Sequence, residues 1–203
     1  MATTAGAYGL KPVKLLTGAP YNGATRHYPI ANAYNTNIFN GSIVEIVAGG
    51  GVQLMLDKGT AADQFSIHTI GVFVGCTYTD PNSQQVVFSQ YWPANTAATD
   101  AQAYVVDDPN VLFKAQADGA LALADRGLNV HLVNVQATGT GSTTTGNSNV
   151  AVEASTKAVT ATFPFRIVDF TEDALNSAGD TYTEVLVKIN PAYHSFTNTG
   201  AGI

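Results

Sequence analysis

The sequence predicts an all-β fold, an antiparallel β-sandwich or barrel of about nine short strands with an extended N-terminal arm. Three observations predict it. Short runs rich in Val, Ile, Phe and Tyr recur along the chain, and Gly, Asn, Asp or Pro separate most of them. Helical periodicity is nearly absent. No shift in composition marks a second domain within the 203 residues, a length that single β domains commonly reach.

Residues 1–41 are predicted to form the arm. They are rich in Ala, Asn, Tyr, Gly and Pro and show little periodicity. Because their prolines lack a backbone donor, the segment is expected to run extended over a surface and not to form a central strand. The first 44 residues contain three cations and no carboxylate, so this part is basic on a chain of net charge −6. Its predicted partner contacts are Tyr8, Lys11, Lys14, Tyr21 and Arg26.

Residues 42–203 are predicted to be a single β domain. Apolar and polar residues alternate in the runs 111–117 and 183–190, which indicates strands with one buried face. Residues 49–51 and 79–82 have the composition of turns between strands. The nine predicted strands are 42–48, 52–56, 70–78, 86–92, 104–107, 111–117, 128–135, 163–170 and 183–190.

A helical pattern occurs at residues 120–126, but it is too short to be stable without tertiary support. Residues 138–149 are low in complexity and are predicted to be a long loop inside the domain. This loop belongs to a stretch, residues 127–152, that has no Asp, Glu, Lys or Arg. Since exposed β ribbons normally carry charge that blocks edge pairing, the stretch is expected to contact other subunits. The predicted loop contacts are Ser142, Thr143, Thr144 and Thr145.

The composition favours a protein that contacts other proteins. Charged residues make up 12% of the chain, about half the usual share. Lys and Glu are depleted from interface cores, so a chain with few charged residues can use much of its surface for contacts with other proteins. The alternative explanation of the low charge is a β protein whose exposed face consists of neutral polar residues. The acidic balance argues against a general nucleic-acid binder. Neither a signal-peptide pattern nor a long apolar run is present, so the sequence predicts a soluble protein without a membrane partner.

The sequence contains no motif that indicates catalysis, a cofactor or a metal. The Gly-rich run 139–146 lacks the Lys of a phosphate-binding loop, and the four histidines lack metal-ligand spacing. Each histidine is predicted to lie at the surface or at a strand edge. Cys76, the single cysteine, is predicted to be an inert small hydrophobe. The adjacent carboxylates at 107–108 and 172–173 are predicted to face opposite ways or to belong to turns. The chain is therefore predicted not to be an enzyme.

Tyr91 and Trp92 end a predicted strand with two large rings. Such rings are typical of binding hot spots and equally of a corner of the core, and the core is the favoured interpretation. An exposed pair would favour a carbohydrate- or receptor-binding module, which is kept as an alternative.

Several strings resemble a group of small virion proteins of aquatic tailed bacteriophages. They are residues 7–13 (AYGLKPV), 28–31 (YPIA), 71–80 (GVFVGCTYTD), 90–93 (QYWP), 104–109 (YVVDDP) and 141–148 (GSTTTGNS). The likeness extends over most of the chain. It implies a capsid decoration (cement) protein without a cofactor, which is assembled in the host cytoplasm and binds the phage major capsid protein at the outer capsid surface.

The resemblance also implies a homo-oligomer, with a trimer favoured and a dimer as the alternative. Such a clamp contacts several shell subunits at once and gains strength by multivalency. A major capsid protein or a head–tail component is the competing structural role. The major capsid fold needs a long spine helix, however, and the sequence has no long helical pattern.

Overall fold

The computed structural model describes residues 4–55, 65–133, 140–171 and 175–199. Within these ranges the all-β prediction is confirmed, with thirteen strands in place of the expected nine. The strands are β1 Lys11–Leu15, β2 Arg26–Pro29, β3 Ile43–Ile46, β4 Val52–Leu54, β5 Thr69–Thr79, β6 Val86–Ser89, β7 Gln102–Val106, β8 Val111–Gln116, β9 Asn129–Val130, β10 Leu132–Val133, β11 Ala151–Val152, β12 Phe165–Phe170 and β13 Glu184–Ile189.

Helical structure in the described ranges is limited to two short 3-10 turns, Leu123–Asp125 and Ala154–Thr156. The first of them lies where the short helical pattern was predicted. No helix in this part of the chain is long and apolar enough to cross a membrane.

The strands form two antiparallel sheets that pack as a sandwich. The first sheet has the order β1-β8-β13-β12-β9, and the second has the order β2-β7-β5-β3-β4 with β6 added beside β5. The short ribbon of β10 and β11 contributes Leu132 and Val152 to the core.

Alternation along the strands divides the apolar side chains into two buried clusters. Phe113 and Val187 of the first sheet meet Val72 of the second sheet in the larger cluster. Phe73 points to the other side of β5 and joins a second cluster that includes Trp92. The part of the second sheet around Val72 and Phe73 of β5 is therefore buried on both faces.

The N-terminal segment differs from the predicted arm, because it supplies one edge strand to each sheet. β1 pairs with β8, and β2 pairs with β7. Pro12 and Pro29 lie in these strands, where an edge position tolerates the missing N–H. A Cβ on Gly9 would lie 2.8 Å from the Gly41 Cα, so the two glycine backbones are in direct contact. The described part of the segment is thus integrated into the sandwich.

The predicted loop 138–149 is described from residue 140 onward, and it forms a tight turn. The Gly146 N–H donates to the Ser142 carbonyl at 2.7 Å. Lys11 Nζ donates to the side-chain oxygens of Asn40 (2.7 Å) and Asn147 (2.9 Å). These bonds fasten the turn to the sandwich, and Thr143, Thr144 and Thr145 are exposed.

Burial within the chain itself explains much of the charge-free stretch at 127–152. A buried charge is costly unless it is paired, so neutral residues are favoured at these positions. Subunit contacts are not required to account for them. The buried members are Asn129, Val130, His131, Leu132, Ser148, Val150, Ala151 and Val152.

Candidate partner-binding surface

The hairpin of β5 and β6 is the clearest candidate for a partner-binding surface. β5 is 11 residues long, and its last four residues pair with β6, from Cys76 opposite Ser89 to Thr79 opposite Val86. Beyond β6 the described residues add no further strand. β6 is therefore an edge strand whose outer backbone groups are available for pairing.

Asp80 fixes the turn of this hairpin. Its carboxylate accepts hydrogen bonds from the Asn82 N–H (3.1 Å) and the Ser83 hydroxyl (2.9 Å). Its carbonyl accepts a further bond from the Gln84 N–H at 2.8 Å. The hydrogen bonds to the carboxylate, that from the Asn82 N–H foremost, hold the pKa of Asp80 below its ordinary value. The predicted turn at 79–82 is confirmed.

The two sides of the hairpin have different environments. Cys76 and Tyr78 face the second core cluster, and the Tyr78 ring meets Trp92 edge-on with 5.4 Å between centroids. Val86 and Phe88 lie on the opposite side, where they are 65% and 77% exposed. Two exposed apolar side chains on an unpaired edge make this side of the hairpin a candidate surface for contact with a partner.

Neutral side chains surround this apolar pair. Thr77 lies opposite Phe88, and Thr79 lies opposite Val86. Alternation places these four side chains on one side of the hairpin. With two neighbouring aromatic residues they form what we name the hairpin surface: Thr77, Thr79, Val86, Phe88, Tyr104 and His27.

Tyr104 and His27 extend the hairpin surface across β7 and β2. The Tyr104 hydroxyl donates to Thr77 Oγ1 at 3.3 Å, and its ring meets the exposed His27 ring at 4.5 Å. Asp100 marks one margin, where it accepts a hydrogen bond from the Thr79 hydroxyl at 2.6 Å. This bond holds the pKa of Asp100 below its ordinary value. The interior of the surface carries no formal charge when His27 is neutral.

The predicted arm contacts make bonds within the chain. The Tyr8 hydroxyl donates to Glu184 at 2.9 Å, and burial raises the pKa of Tyr8. The Tyr21 hydroxyl donates to the Ala24 carbonyl at 2.6 Å. Lys11, which anchors the turn described above, is half-buried, and this burial lowers the pKa of its ammonium group.

Lys14 and Arg26 form ion pairs with carboxylates of the sandwich. Lys14 lies 3.9 Å from Asp169, and Arg26 lies 3.1 Å from Asp107. The Arg26 guanidinium also stacks 5.1 Å above the Phe196 ring. These residues therefore hold the N-terminal segment in place, and a contact with a partner stays a prediction.

Trp92 is a core residue, so the prediction that it is a possible partner contact is wrong. Its side chain is 0% exposed, and its indole N–H donates to the Tyr34 carbonyl at 3.2 Å. Tyr91 is half-buried and stacks on Phe39 with 5.3 Å between centroids. A glycan-binding platform needs exposed rings, and the Trp92 ring is buried. The interpretation of Trp92 as a core residue is therefore confirmed.

The carboxylates that were considered for chemistry have structural partners. Asp107 accepts the Tyr28 hydroxyl at 2.7 Å in addition to its ion pair with Arg26. Asp108 accepts the Asn110 N–H at 2.8 Å, as its predicted turn requires. The pair at 172–173 lies outside the described residues. Among those described, no group of three His, Cys, Asp or Glu could hold a metal ion.

Two histidines are buried, which corrects the prediction that all four lie at the surface or at strand edges. His131 is 9% exposed and His194 is 1% exposed. His194 Nδ1 accepts a hydrogen bond from the Phe196 N–H at 3.2 Å. Burial lowers the pKa of His194, so the folded state favours the neutral ring.

The Cys76 thiol is expected to react with thiol reagents at least ~100-fold more slowly in the native protein than in the unfolded chain. The residue is 1% exposed, and burial raises its pKa to about 12. The measurement is the rate of colour release from a thiol-reactive disulfide at pH 8, with the same protein in concentrated urea as the control. Equal rates in the two conditions would show that Cys76 is accessible.

A small crevice lies where β2 ends against the β3–β4 hairpin. Its volume is about 280 Å³, and Pro29, Tyr34, Val47 and Val52 are among its lining residues. This is near the lower limit of small-molecule sites, and none of the lining residues carries a formal charge. The crevice therefore has the chemistry of an apolar side-chain pocket.

Comparison with known proteins finds no matching family model, no matching curated protein and no matching solved structure.

Proposed function

We propose that the chain is a virion structural protein, which decorates a tailed-phage capsid and stabilises it by binding between major capsid protein subunits. The observation that carries the proposal is the exposure of Val86 and Phe88 on an edge strand. Large exposed apolar side chains grouped on one surface typically mark protein interfaces. The resemblance of the sequence to phage virion proteins supports this particular partner.

The chemistry of the hairpin surface suits a protein partner. Aromatic rings are enriched at interface cores and charges are depleted there, which matches a surface of neutral side chains around Phe88. The outer edge of β6 can in addition accept a strand of the partner by main-chain hydrogen bonds. The hairpin surface therefore offers side-chain and backbone recognition together.

Self-association is part of the proposal, with a homotrimer favoured and a dimer as the alternative. Several copies that each present one hairpin surface would bind the shell by multivalency. The turn at 142–145, in which Thr143, Thr144 and Thr145 are exposed, is the proposed site of contacts between copies. The proposed location is the outer capsid surface, with neither nucleic acid nor membrane as a partner.

Replacing Phe88 with serine is expected to weaken binding to capsids that lack this protein at least tenfold, about 1.4 kcal/mol. Because Phe88 is exposed, the substitution should leave the sandwich folded. The measurement is co-sedimentation of purified protein with such capsids, followed by their temperature of rupture.

The matched control is Val159→Ser, since Val159 is 89% exposed and lies outside the hairpin surface. This variant is expected to bind like the wild type. Unchanged binding of Phe88→Ser would place the contact elsewhere on the molecule. Wild-type protein that neither binds the capsids nor raises their rupture temperature would overturn the decoration role.

A further inference from the structure

The outer face of the first sheet gathers five of the nine Lys and Arg residues of the chain. Three of them alternate along their strands with residues that face the core, as Lys114 does between Phe113 and Ala115, and Lys14 lies opposite Leu112 on the same side as Lys114. The fifth, Arg126, reaches the same face from the turn before β9, where it pairs with Asp169 at 2.7 Å. We name this set the cationic face: Lys14, Lys114, Arg126, Arg166 and Lys188.

Two carboxylates lie on the cationic face. Asp169 is shared by Lys14 and Arg126, and Glu184 lies 2.5 Å from Lys114. Five cations and two carboxylates give this described face a net charge of +3, on a chain whose total is −6. The rest of the chain therefore carries −9, and the charge of the molecule is strongly polarised.

The positive charge on this face is accessible and only partly neutralised. Within the described ranges neither Arg166 nor Lys188 forms an ion pair. Arg166 is exposed, and its Nε donates to the neutral Asn129 side chain at 3.0 Å. The Arg126 side chain is 52% exposed. Exposed ion pairs are weak in water, so a carboxylate from outside can compete for these cations.

Two leucines lie among the cations on the same face. Leu112 and Leu186 point away from the core cluster, yet they are only 2% and 6% exposed. The strand register places Lys14 beside Leu112 and Lys114 beside Leu186. Lysine stems cover apolar surface in this way while their ammonium groups stay in water.

We propose that the cationic face is a second docking surface, whose partner is an acidic patch on another protein. Charge complementarity selects a surface rich in Asp and Glu. A long nucleic acid is disfavoured because its phosphate backbone would extend past the face toward a body of net charge −9. The cationic face belongs to the first sheet and the hairpin surface to the second. The inference does not depend on the capsid assignment.

The test measures the binding of fluorescein-labelled poly-L-glutamate of defined length to the full protein, by fluorescence anisotropy. Wild-type protein is expected to bind at low ionic strength and to lose affinity steeply as NaCl approaches ~0.3 M, because salt screens exposed charges. The double variant Arg166→Gln/Lys188→Gln is expected to bind at least ~10-fold more weakly, since it removes the two cations without an ion pair. Circular dichroism verifies that it is folded.

The control is Asn32→Asp/Gln85→Glu, which changes the net charge by the same −2 at exposed positions away from the cationic face. It is expected to keep its affinity within ~3-fold of the wild type. An equal loss in both double variants would mean that only net charge matters, and would overturn the proposal. So would the absence of wild-type binding at low salt, or tighter binding to duplex DNA than to poly-L-glutamate. If the wild-type protein self-associates and the Arg166→Gln/Lys188→Gln variant does not, the cationic face binds a second copy of the chain. That result would overturn the proposed partner.

Discussion

Replacing Trp92 with alanine is expected to lower the free energy of unfolding by about 3 to 5 kcal/mol. The side chain is fully buried, packs against Tyr78 and donates to the Tyr34 carbonyl. Its removal leaves a cavity under the hairpin and deprives a carbonyl of its partner, and both effects destabilise the folded state. Urea denaturation followed by circular dichroism measures the loss, since the variant has no tryptophan for fluorescence.

The matched control is Phe196→Ala, because Phe196 is a large aromatic residue that is 51% exposed. Its cost should be below about 1 kcal/mol, mainly the lost stacking with Arg26. Similar losses in the two variants would show that Trp92 is not a core residue. In the wild-type protein the Trp92 emission should be blue-shifted and protected from acrylamide until the chain unfolds.

Replacing Gly71 with alanine is expected to destabilise the protein by about 2 to 4 kcal/mol. A Cβ on Gly71 would lie 2.1 Å from the Val106 carbonyl oxygen. No rotamer relieves this contact, because both groups belong to the backbone. β5 would have to move away from β7, at the centre of the second sheet. The transition temperature in a thermal unfolding experiment measures the effect.

Gly6→Ala serves as the control, because a Cβ at Gly6 would have no neighbour within 4 Å. Its stability should stay within about 0.5 kcal/mol of the wild type, since the loss of chain entropy on folding decreases slightly. A Gly71 variant as stable as the Gly6 variant would contradict the close approach of β5 and β7.

Local patterns in the sequence predict the central strands, and they fail for strands that depend on a distant partner. Every run that was predicted from apolar composition overlaps at least one strand of the structure. β1 and β2 were missed because Pro12 and Pro29 interrupt their pattern, and only an edge position next to β8 or β7 permits them. β11 has two residues, too few for any periodicity.

The candidate surfaces were predicted only in part, because exposure depends on what covers a strand. The apolar run at 86–92 predicts a strand, but it does not distinguish the exposed Phe88 from the buried Trp92. That difference arises from contacts with Tyr34 and Ile38, which are far away in the sequence. The cationic face likewise needs the order of β1, β8, β13 and β12, which brings together cations that are scattered along the chain.

The edge positions of β1 and β2 affect how the chain folds during synthesis. Lys11 pairs with Lys114 and His27 pairs with Tyr104, so both strands leave the ribosome long before their partners. The partners are 103 and 77 residues apart, so at roughly 5 to 20 residues per second the delay is roughly 4 to 20 s. Such non-local pairing is the topology that folds slowly and exposes unpaired strands to aggregation. β2, whose sequence is Arg-His-Tyr-Pro, contains few apolar residues, a composition that disfavours aggregation of an unpaired strand.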